Sequence, residues 1–318
     1  MIPKMERDFV AADLAAVEAL LQQMTEEDAL TAMSLEARRD ELRAILATLQ
    51  PSAPVTNASA ALFFSGRPVA GALGIESEFG AAAVDKFQDV VAKVFALQQT
   101  GSLGQRGAIP GKEHAILHIT NVVHGSFGFR LEELAVPRDA VGAPLQEALD
   151  QTSVLMDVFG EPDDEQFVKA IADLDERVLI AIRNFFGLMR DNEATFRLVS
   201  GSFDRSFNQQ SVTRATERAR LTTLHEETAV FAGQLAGALR DSRIFEYRTQ
   251  TERGTIQGKV VETLSSDAIS EMNQHWADKD STATVHVKQV LRSGHVYREV
   301  YTLINVEPRS SSRSSDSL

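Results

Sequence analysis

Residues 230–262 read VFAGQLAGALRDSRIFEYRTQTERGTIQGKVVE, and the pattern of this segment indicates the architecture of the last third of the chain. Phe245 and Tyr247 alternate with polar residues, so their run has one apolar face that points to a core. Asp241-Ser242 supplies turn residues before that run, and glycines mark places where strands must bend. We therefore expect three strands here, at 230–239, 243–249 and 255–262.

The residues that follow extend this pattern. The sequence predicts a short helix over 266–276 and a hairpin of two strands, 282–291 and 297–306, around Ser293-Gly294. Three strands, a helix and two strands is the element order of a small closed barrel that resembles the OB type. A split barrel of the SH3 type with one inserted helix fits the same order, so both alternatives remain open. We predict a small β-barrel domain at 226–307 and a serine-rich, disordered tail at 308–318.

The chain before the barrel mixes helical and strand patterns. Apolar residues at three-and-four spacing predict two N-terminal helices, a helical hairpin at 1–50 that ends at Pro51. An α+β domain at 55–224 follows, in which strands flank a long helix to give a ββαββ-type sheet layer. Two further helices cover that sheet, the second carrying apolar positions from Val168 to Met189. A strand at 195–200 and a helix at 211–224 complete it. The fold class is therefore α+β.

Composition bounds the size and the environment of the protein. The chain has 318 residues, which is about twice the length of a usual single domain, so at least two folded units are expected. It has no cysteine, which excludes disulfides, thiolate metal sites and cysteine nucleophiles and fits a reducing compartment. We find no secretory leader pattern and no run of eighteen apolar residues. These features predict a soluble, cytoplasmic protein without a membrane partner.

Charge and motifs argue against several functions. The formal net charge of −13 repels nucleic acid, although it leaves room for local basic faces. Gly107 to Lys112 resembles a phosphate-binding loop but has the wrong glycine spacing and Glu113 after the lysine. His114 and His118, placed on a strand, would lie about 13 Å apart, too far to share one ion. We therefore predict no catalytic, metal-binding or cofactor-binding residue, and no cofactor.

Two groups of basic residues are candidates for binding a partner. Arg214 and Arg218 lie one turn apart on a predicted helix, near Arg197 and Arg205, where they could dock an acidic protein surface or a phosphate. Pairing with acidic groups of the same chain is the structural alternative. Arg248 and Lys259 are expected on the outer face of the barrel, beside Glu246 and Gln257.

These observations lead to three functional hypotheses. The first is a non-enzymatic interaction or adaptor protein that binds another protein, or a second copy of itself, through the barrel and an N-terminal α+β platform. The second is a nucleic-acid or nucleotide sensor that uses the barrel and the local arginine face. The third is an enzyme whose site is assembled from distant residues, which no sequence motif here indicates.

Overall fold

A computed structural model describes residues 10, 14, 17, 18, 21, 29–48, 57–71, 73–104, 106–123, 127–134, 144–172 and 174–309. It confirms a mixed α+β chain with a closed five-stranded barrel in its C-terminal half. The chain divides into two compact units. The first comprises Met1–Asp163 and Asp175–Ala219, and the second comprises Asp164–Leu174 and Arg220–Leu318.

Helical residues near the N-terminus bury a small apolar cluster. Residues 10, 14, 17, 18 and 21 are helical, and helix α1 (Ala29–Thr48) follows. Val10, Val17 and Leu42 are buried together, which is the interaction expected of two amphipathic helices.

A five-stranded antiparallel sheet forms the centre of the first unit. The strands of this unit are β1 (Ser59–Gly66), β2 (Val69–Ala70), β3 (Gly74–Ile75), β4 (His118–Val123), β5 (Phe127–Glu132), β6 (Ala194–Ser200) and β7 (Phe203–Phe207). The order of the five-stranded sheet is β4-β5-β1-β6-β7, and a separate two-stranded sheet pairs β2 with β3. The central strand β1 is almost entirely apolar in its buried part, as expected of a strand that is buried on both faces of its sheet.

Helices of the same unit supply most of the remaining core. Helix α2 (Ser77–Thr100) packs against α3 (Pro144–Gly160) and α5 (Glu176–Asp191). Helix α6 (Gln209–Leu221) is the last helix before the barrel strands. The core is aromatic, with rings at edge-to-face or tilted angles and one stacked pair, Phe196 and Phe207, at 4.4 Å. Gly101 ends α2 with φ 73°, and its N–H donates to the Leu97 carbonyl at 2.8 Å.

The sequence predicts one long helix that ends near Met189. This prediction is wrong, because these residues form two helices. Helix α4 (Asp164–Ala172) ends before Asp175, whose side chain accepts a hydrogen bond from the Arg177 N–H at 2.8 Å and so caps α5. Helix α4 belongs to the second unit, whereas α5 belongs to the first. Each predicted domain is one continuous stretch of the chain. The predicted domains therefore do not include this passage of the chain from the first unit to the second and back.

The second unit is built around the barrel. Its strands are β8 (Thr222–Ala238), β9 (Ile244–Thr249), β10 (Thr255–Val260), β11 (Asp280–Arg292) and β12 (His295–Pro308), and α7 (Ser266–Trp276) lies between β10 and β11. Neighbouring strands follow the order β10-β12-β11-β8-β9, and a short parallel contact of β10 with β12 closes the circle. Phe245 and Tyr247 are fully buried inside it, as their alternation predicts.

Two glycines allow the barrel strands to approach each other. A Cβ placed on Gly233 would collide with the Arg248 carbonyl oxygen, and one placed on Gly258 would collide with that of Tyr301. Gly237 lies in the same strand as Gly233, but a Cβ there would meet nothing within 4 Å. The close approaches therefore depend on Gly233 and Gly258.

Several strand limits differ from those predicted. Strand β8 begins at Thr222, where a helix was expected to continue, and β12 runs to Pro308, inside the predicted tail. The added part of β8 pairs with β11 from Val285 to Arg292, and β11 pairs in turn with β12. Residues 222–229, 285–292 and 295–303 thus form three paired strand segments, called the arm below. Residues 310–318 of the predicted tail lie outside the described residues.

Candidate functional site

The arginines of helix α6 contact the end of helix α3. The Arg214 guanidinium donates to the Gly160 carbonyl at 2.6 Å. Arg218 is 3% exposed and donates to the carbonyls of Val158 at 3.1 Å, Pro162 at 3.2 Å and Glu161. The last carbonyls of a helix lack partners within it and form the negative end of its dipole, so cations stabilise them. Both arginines therefore cap α3 within their own unit.

The other two arginines of the predicted basic face form ion pairs. Arg197 makes two hydrogen bonds of 2.7 Å to the Asp204 carboxylate on the neighbouring strand. Arg205 lies 3.0 Å from the Asp157 carboxylate and also contacts Glu161. These contacts correspond to the intramolecular alternative.

Strands β9 and β10 present a mixed polar face on the outside of the barrel. Three cross-strand pairs form it: Ile244 with Lys259, Glu246 with Gln257, and Arg248 with Thr255. The Gln257 side chain donates to the Glu246 carboxylate at 3.3 Å, and Arg248 donates to Asp278 at 3.1 Å. The predicted outward placement of Arg248 and Lys259 agrees with this register and with their exposure.

One end of this face is apolar. Leu239 is 63% exposed and Ile244 is 47% exposed, and the Leu239 N–H donates to the Ile244 carbonyl at 2.8 Å. Lys259 lies opposite Ile244 on the next strand. Together Leu239, Ile244 and Lys259 are called the rim patch below. Sequence reasoning missed it, because Leu239 reads as the last residue of a strand and not as an exposed side chain.

The loop beside the rim patch is held firmly. The Asn273 side chain accepts from the Ala238 N–H at 2.8 Å and donates to the Ala238 carbonyl at 2.6 Å, which joins α7 to the end of β8. Arg243 has φ 52° and donates to the carbonyls of Val261 and Leu264. An open groove of about 620 Å³ runs along this loop; it is lined by Ala238, Leu239, Arg240, Asp241, Ser242, Ser270 and Asn273.

A polar network joins the β9–β10 turn to the arm. The Glu299 carboxylate accepts from Arg253 at 3.0 Å, from Gln289 at 2.8 Å and from the Tyr301 hydroxyl. These donors, Arg253 above all, lower the pKa of Glu299 to about 2. Burial and the neighbouring carboxylate raise the pKa of Tyr301 to about 12. Arg253 also lies 5.6 Å from the centre of the Phe231 ring.

His114 and His118, which were rejected above as a pair of metal ligands, lie on different elements. His114 ends a short 3-10 helix (Lys112–His114), and His118 begins β4, so the predicted common strand is wrong at His114. Within the described ranges, no group of three histidine or carboxylate side chains is placed to hold a metal ion.

The described helices include none with the length and apolar character needed to cross a membrane. Comparison with protein-family models, curated proteins and solved structures found no match to this chain.

Proposed function

We propose that this protein is a non-enzymatic interaction protein that binds another protein chain through the outer face of its barrel. The observation that carries the proposal is the rim patch, where Leu239 and Ile244 are 63% and 47% exposed on adjoining backbone. Large apolar side chains that are exposed side by side mark binding surfaces more often than isolated ones do. The loop next to them is hydrogen-bonded to α7 through Asn273 and is bordered by an open groove.

The chemistry around the rim patch favours an acidic partner surface. Apolar residues at the centre of an interface supply most of the binding free energy, and charged residues at its border select the partner. The outward face that carries Ile244 also carries Arg248, Lys259 and Glu246, so it has two positive charges and one negative charge in position to do this. A second copy of this chain, with its formal charge of −13, is one such acidic partner.

The barrel type supports the choice of surface. Three antiparallel strands, a helix and a final hairpin, with the last strand returning to the third, favour an OB-like barrel over an SH3-like one. Barrels of the OB type bind ligands on their second and third strands and on the loop between the first two. In this chain those positions are β9, β10 and the loop beside the rim patch. This step is an analogy at the level of fold.

The experiment compares a rim-patch variant with a matched control. Leu239→Ser combined with Ile244→Ser removes the apolar anchor, whereas Val230→Ser removes an equally exposed apolar side chain, 63% accessible, elsewhere on β8. Partners are captured from the native lysate by photo-crosslinking at position 240, and self-association is measured by sedimentation velocity. We expect the double variant alone to lose the crosslinked partner or the dimer. Identical behaviour of the double variant and the control contradicts the proposal.

A nucleic-acid ligand is the second candidate, and the OB-like strand order together with Arg248 and Lys259 favours it. Its test is the affinity for a fluorescent twenty-nucleotide oligothymidylate. Under this candidate the affinity falls steeply with salt, because lysine and arginine contacts to phosphate release counterions. It also falls on Arg248→Ala and on Lys259→Ala. Affinity that is insensitive to salt and to both substitutions excludes this candidate for the barrel face.

A further inference from the structure

The sheet of the first unit ends at an exposed strand, β4. Among the described residues, β4 pairs with β5 alone, so its other edge has no strand beside it. The side chains from His118 to Val122 are all exposed. An edge of this kind offers unpaired N–H and C=O groups to another strand.

Four large apolar side chains lie exposed at this edge. They are Ile116 (49% exposed), Ile119 (54%), Val122 (36%) and Leu134 (61%). Because β4 and β5 are antiparallel and His118 lies opposite Glu132, Ile116 and Leu134 lie beyond the same end of the strand pair. Large apolar side chains exposed close together mark interaction surfaces. The four residues and the outer backbone of β4 are called the edge patch below.

The chain holds the edge patch in place through side-chain hydrogen bonds. The Gln88 side chain, on α2, donates to the Ala115 carbonyl and accepts from the Leu117 N–H at 2.9 Å. The Thr120 hydroxyl donates to the Glu132 carboxylate on β5. The strand is therefore positioned before any partner binds.

The edge patch is uncharged, and the charges beside it are paired within the chain. Residues 115–123 contain no aspartate, glutamate, lysine or arginine, and His118 is their one titratable side chain. On β5, Arg130 and Glu132 form an ion pair. Glu133, just after β5, accepts a backbone hydrogen bond at 3.2 Å. In a chain with a net charge of −13, this edge is a neutral surface.

The opposite edge of the same sheet, β7, is different because it carries charges. Asp204 accepts two hydrogen bonds from Arg197, and Arg205 lies 3.0 Å from the Asp157 carboxylate. Charged side chains on an edge strand oppose its pairing with a further strand. Strand β4 has a register shift at Thr120 but neither charge nor proline. Of the two edges, β4 is the one suited to receive another strand.

The absence of charge selects the partner. A charged peptide or a nucleic acid would bring charges to a strand that offers them no counter-charge, and their desolvation would oppose binding. Lys112 and Glu113, which precede the segment, have opposite charges and favour neither sign. The complement of an uncharged apolar edge is a second uncharged apolar edge, and every copy of this chain carries one.

We propose that β4 pairs antiparallel with β4 of a second copy of this chain, about a two-fold axis. A two-fold interface uses the same patch on both copies, so an edge that is complementary to itself suits it. Main-chain hydrogen bonds join the two five-stranded sheets edge to edge, and Ile119 and Val122 of each copy cover apolar side chains of the other. The rim patch, in the second unit, takes no part in this contact.

Sedimentation velocity of the full chain measures this association and its dependence on salt. The charge of −13 on each copy opposes association, and salt screens that repulsion. We therefore expect the dissociation constant of the dimer to fall at least about threefold between about 50 mM and about 500 mM sodium chloride. Pairing through opposite charges would give the reverse dependence on salt and would contradict the proposal.

A lysine at the edge provides the second measurement. Ile119→Lys places one lysine from each copy at the contact and should raise the dissociation constant at least about tenfold. Ser206→Lys, an exposed change on β7, is the matched control and should leave it unchanged. Both positions are exposed, so both variants should keep the melting temperature of the wild type.

Single cysteines locate the contact. The chain has no cysteine, so one introduced cysteine forms a disulfide only with another copy. Cysteines placed in turn at Ile119, Thr120, Asn121 and Val122 should give a disulfide-linked dimer under mild oxidation at one position or more. Ser206→Cys, on β7, should give none.

The outcomes separate this proposal from the one for the rim patch. A wild-type chain that stays monomeric at about 0.1 mM, or a dimer that survives Ile119→Lys, overturns the pairing of β4. A dimer lost in the Leu239→Ser and Ile244→Ser double variant but kept in Ile119→Lys belongs to the rim patch instead. A dimer lost in Ile119→Lys and kept in the double variant supports the pairing of β4, whatever the rim patch binds.

Discussion

Glu299 accepts hydrogen bonds from the side chains of Arg253, Gln289 and Tyr301, and these bonds tie the β9–β10 turn to the arm. Its pKa in the folded protein is about 2, below the ordinary value of 4.5. A carboxylate with a lowered pKa stabilises the fold at pH values above its unfolded pKa. That stabilisation is lost as the pH falls from about 4.5 towards 2.

We predict that Glu299→Gln lowers the free energy of unfolding by about 1–2 kcal/mol at pH 7. The difference from the wild type should shrink as the pH falls from 4.5 to 2.5, because the wild-type carboxylate then loses its advantage. Urea unfolding at several pH values, followed by Trp276 fluorescence, measures both effects. Glu252→Gln, an exposed change in the β9–β10 turn, serves as the control. A difference that is constant over this pH range contradicts the prediction.

At the scale of elements, the closed barrel depends on strands that approach each other at glycine. We predict that Gly258→Ala destabilises the second unit by about 2–4 kcal/mol, because the new methyl group would collide with the Tyr301 carbonyl. Gly237→Ala should change stability by less than about 1 kcal/mol, since open space surrounds that position. Thermal unfolding of the two variants provides the comparison. Equal melting temperatures would contradict the prediction that the close approach of strands requires glycine at position 258 and not at position 237.

The elements also show how far sequence reasoning extends. Alternation and glycines around Phe245 and Tyr247 were sufficient to predict a closed barrel, because strand period and bending are local properties. The break at Asp175 was missed because the apolar spacing of α4 continues in phase into α5, and only the cap distinguishes two helices from one. The capping role of Arg218 was equally inaccessible, since the carbonyls it contacts come from a different helix. Such contacts depend on tertiary structure.

The candidate surfaces were predicted less well than the fold. The outward face carrying Arg248 and Lys259 follows from alternation along β9 and β10. The exposure of Leu239 does not, because leucine at the end of a strand is buried in many barrels. Which apolar residues remain outside depends on where neighbouring strands stop pairing. That is decided by the register of the whole barrel.

At the scale of the molecule, the second unit contains the single tryptophan and all three tyrosines, Tyr247, Tyr297 and Tyr301. Trp276 packs against the barrel core, so its fluorescence reports the unfolding of this unit. Helix α4 belongs to the same unit and packs against β11 and β12, and its Phe167 and Ile171 are buried. A distant part of the sequence thus contributes to the stability that Trp276 reports.

We predict that Phe167→Ala shifts the fluorescence-detected unfolding midpoint to lower urea, by an amount equivalent to about 3–5 kcal/mol. The reason is the cavity left under α4 where the ring is removed. Lys169→Ala, on the exposed side of the same helix, is the control and should change the midpoint little. If Phe167→Ala leaves the unfolding midpoint reported by Trp276 fluorescence unchanged, α4 does not stabilise the second unit.

Helix α4 is synthesised well before the rest of the second unit, to which it belongs. Residues 164–174 emerge from the ribosome long before β11 and β12, the strands that cover them. At bacterial or eukaryotic translation speeds of about 5–20 residues per second, the nascent helix waits roughly 7–27 s for residue 308 to be made. Throughout this interval Phe167 and Ile171 have no finished barrel to bury them. The growing polypeptide therefore exposes an apolar segment, which chaperones can bind, until β11 and β12 have been made.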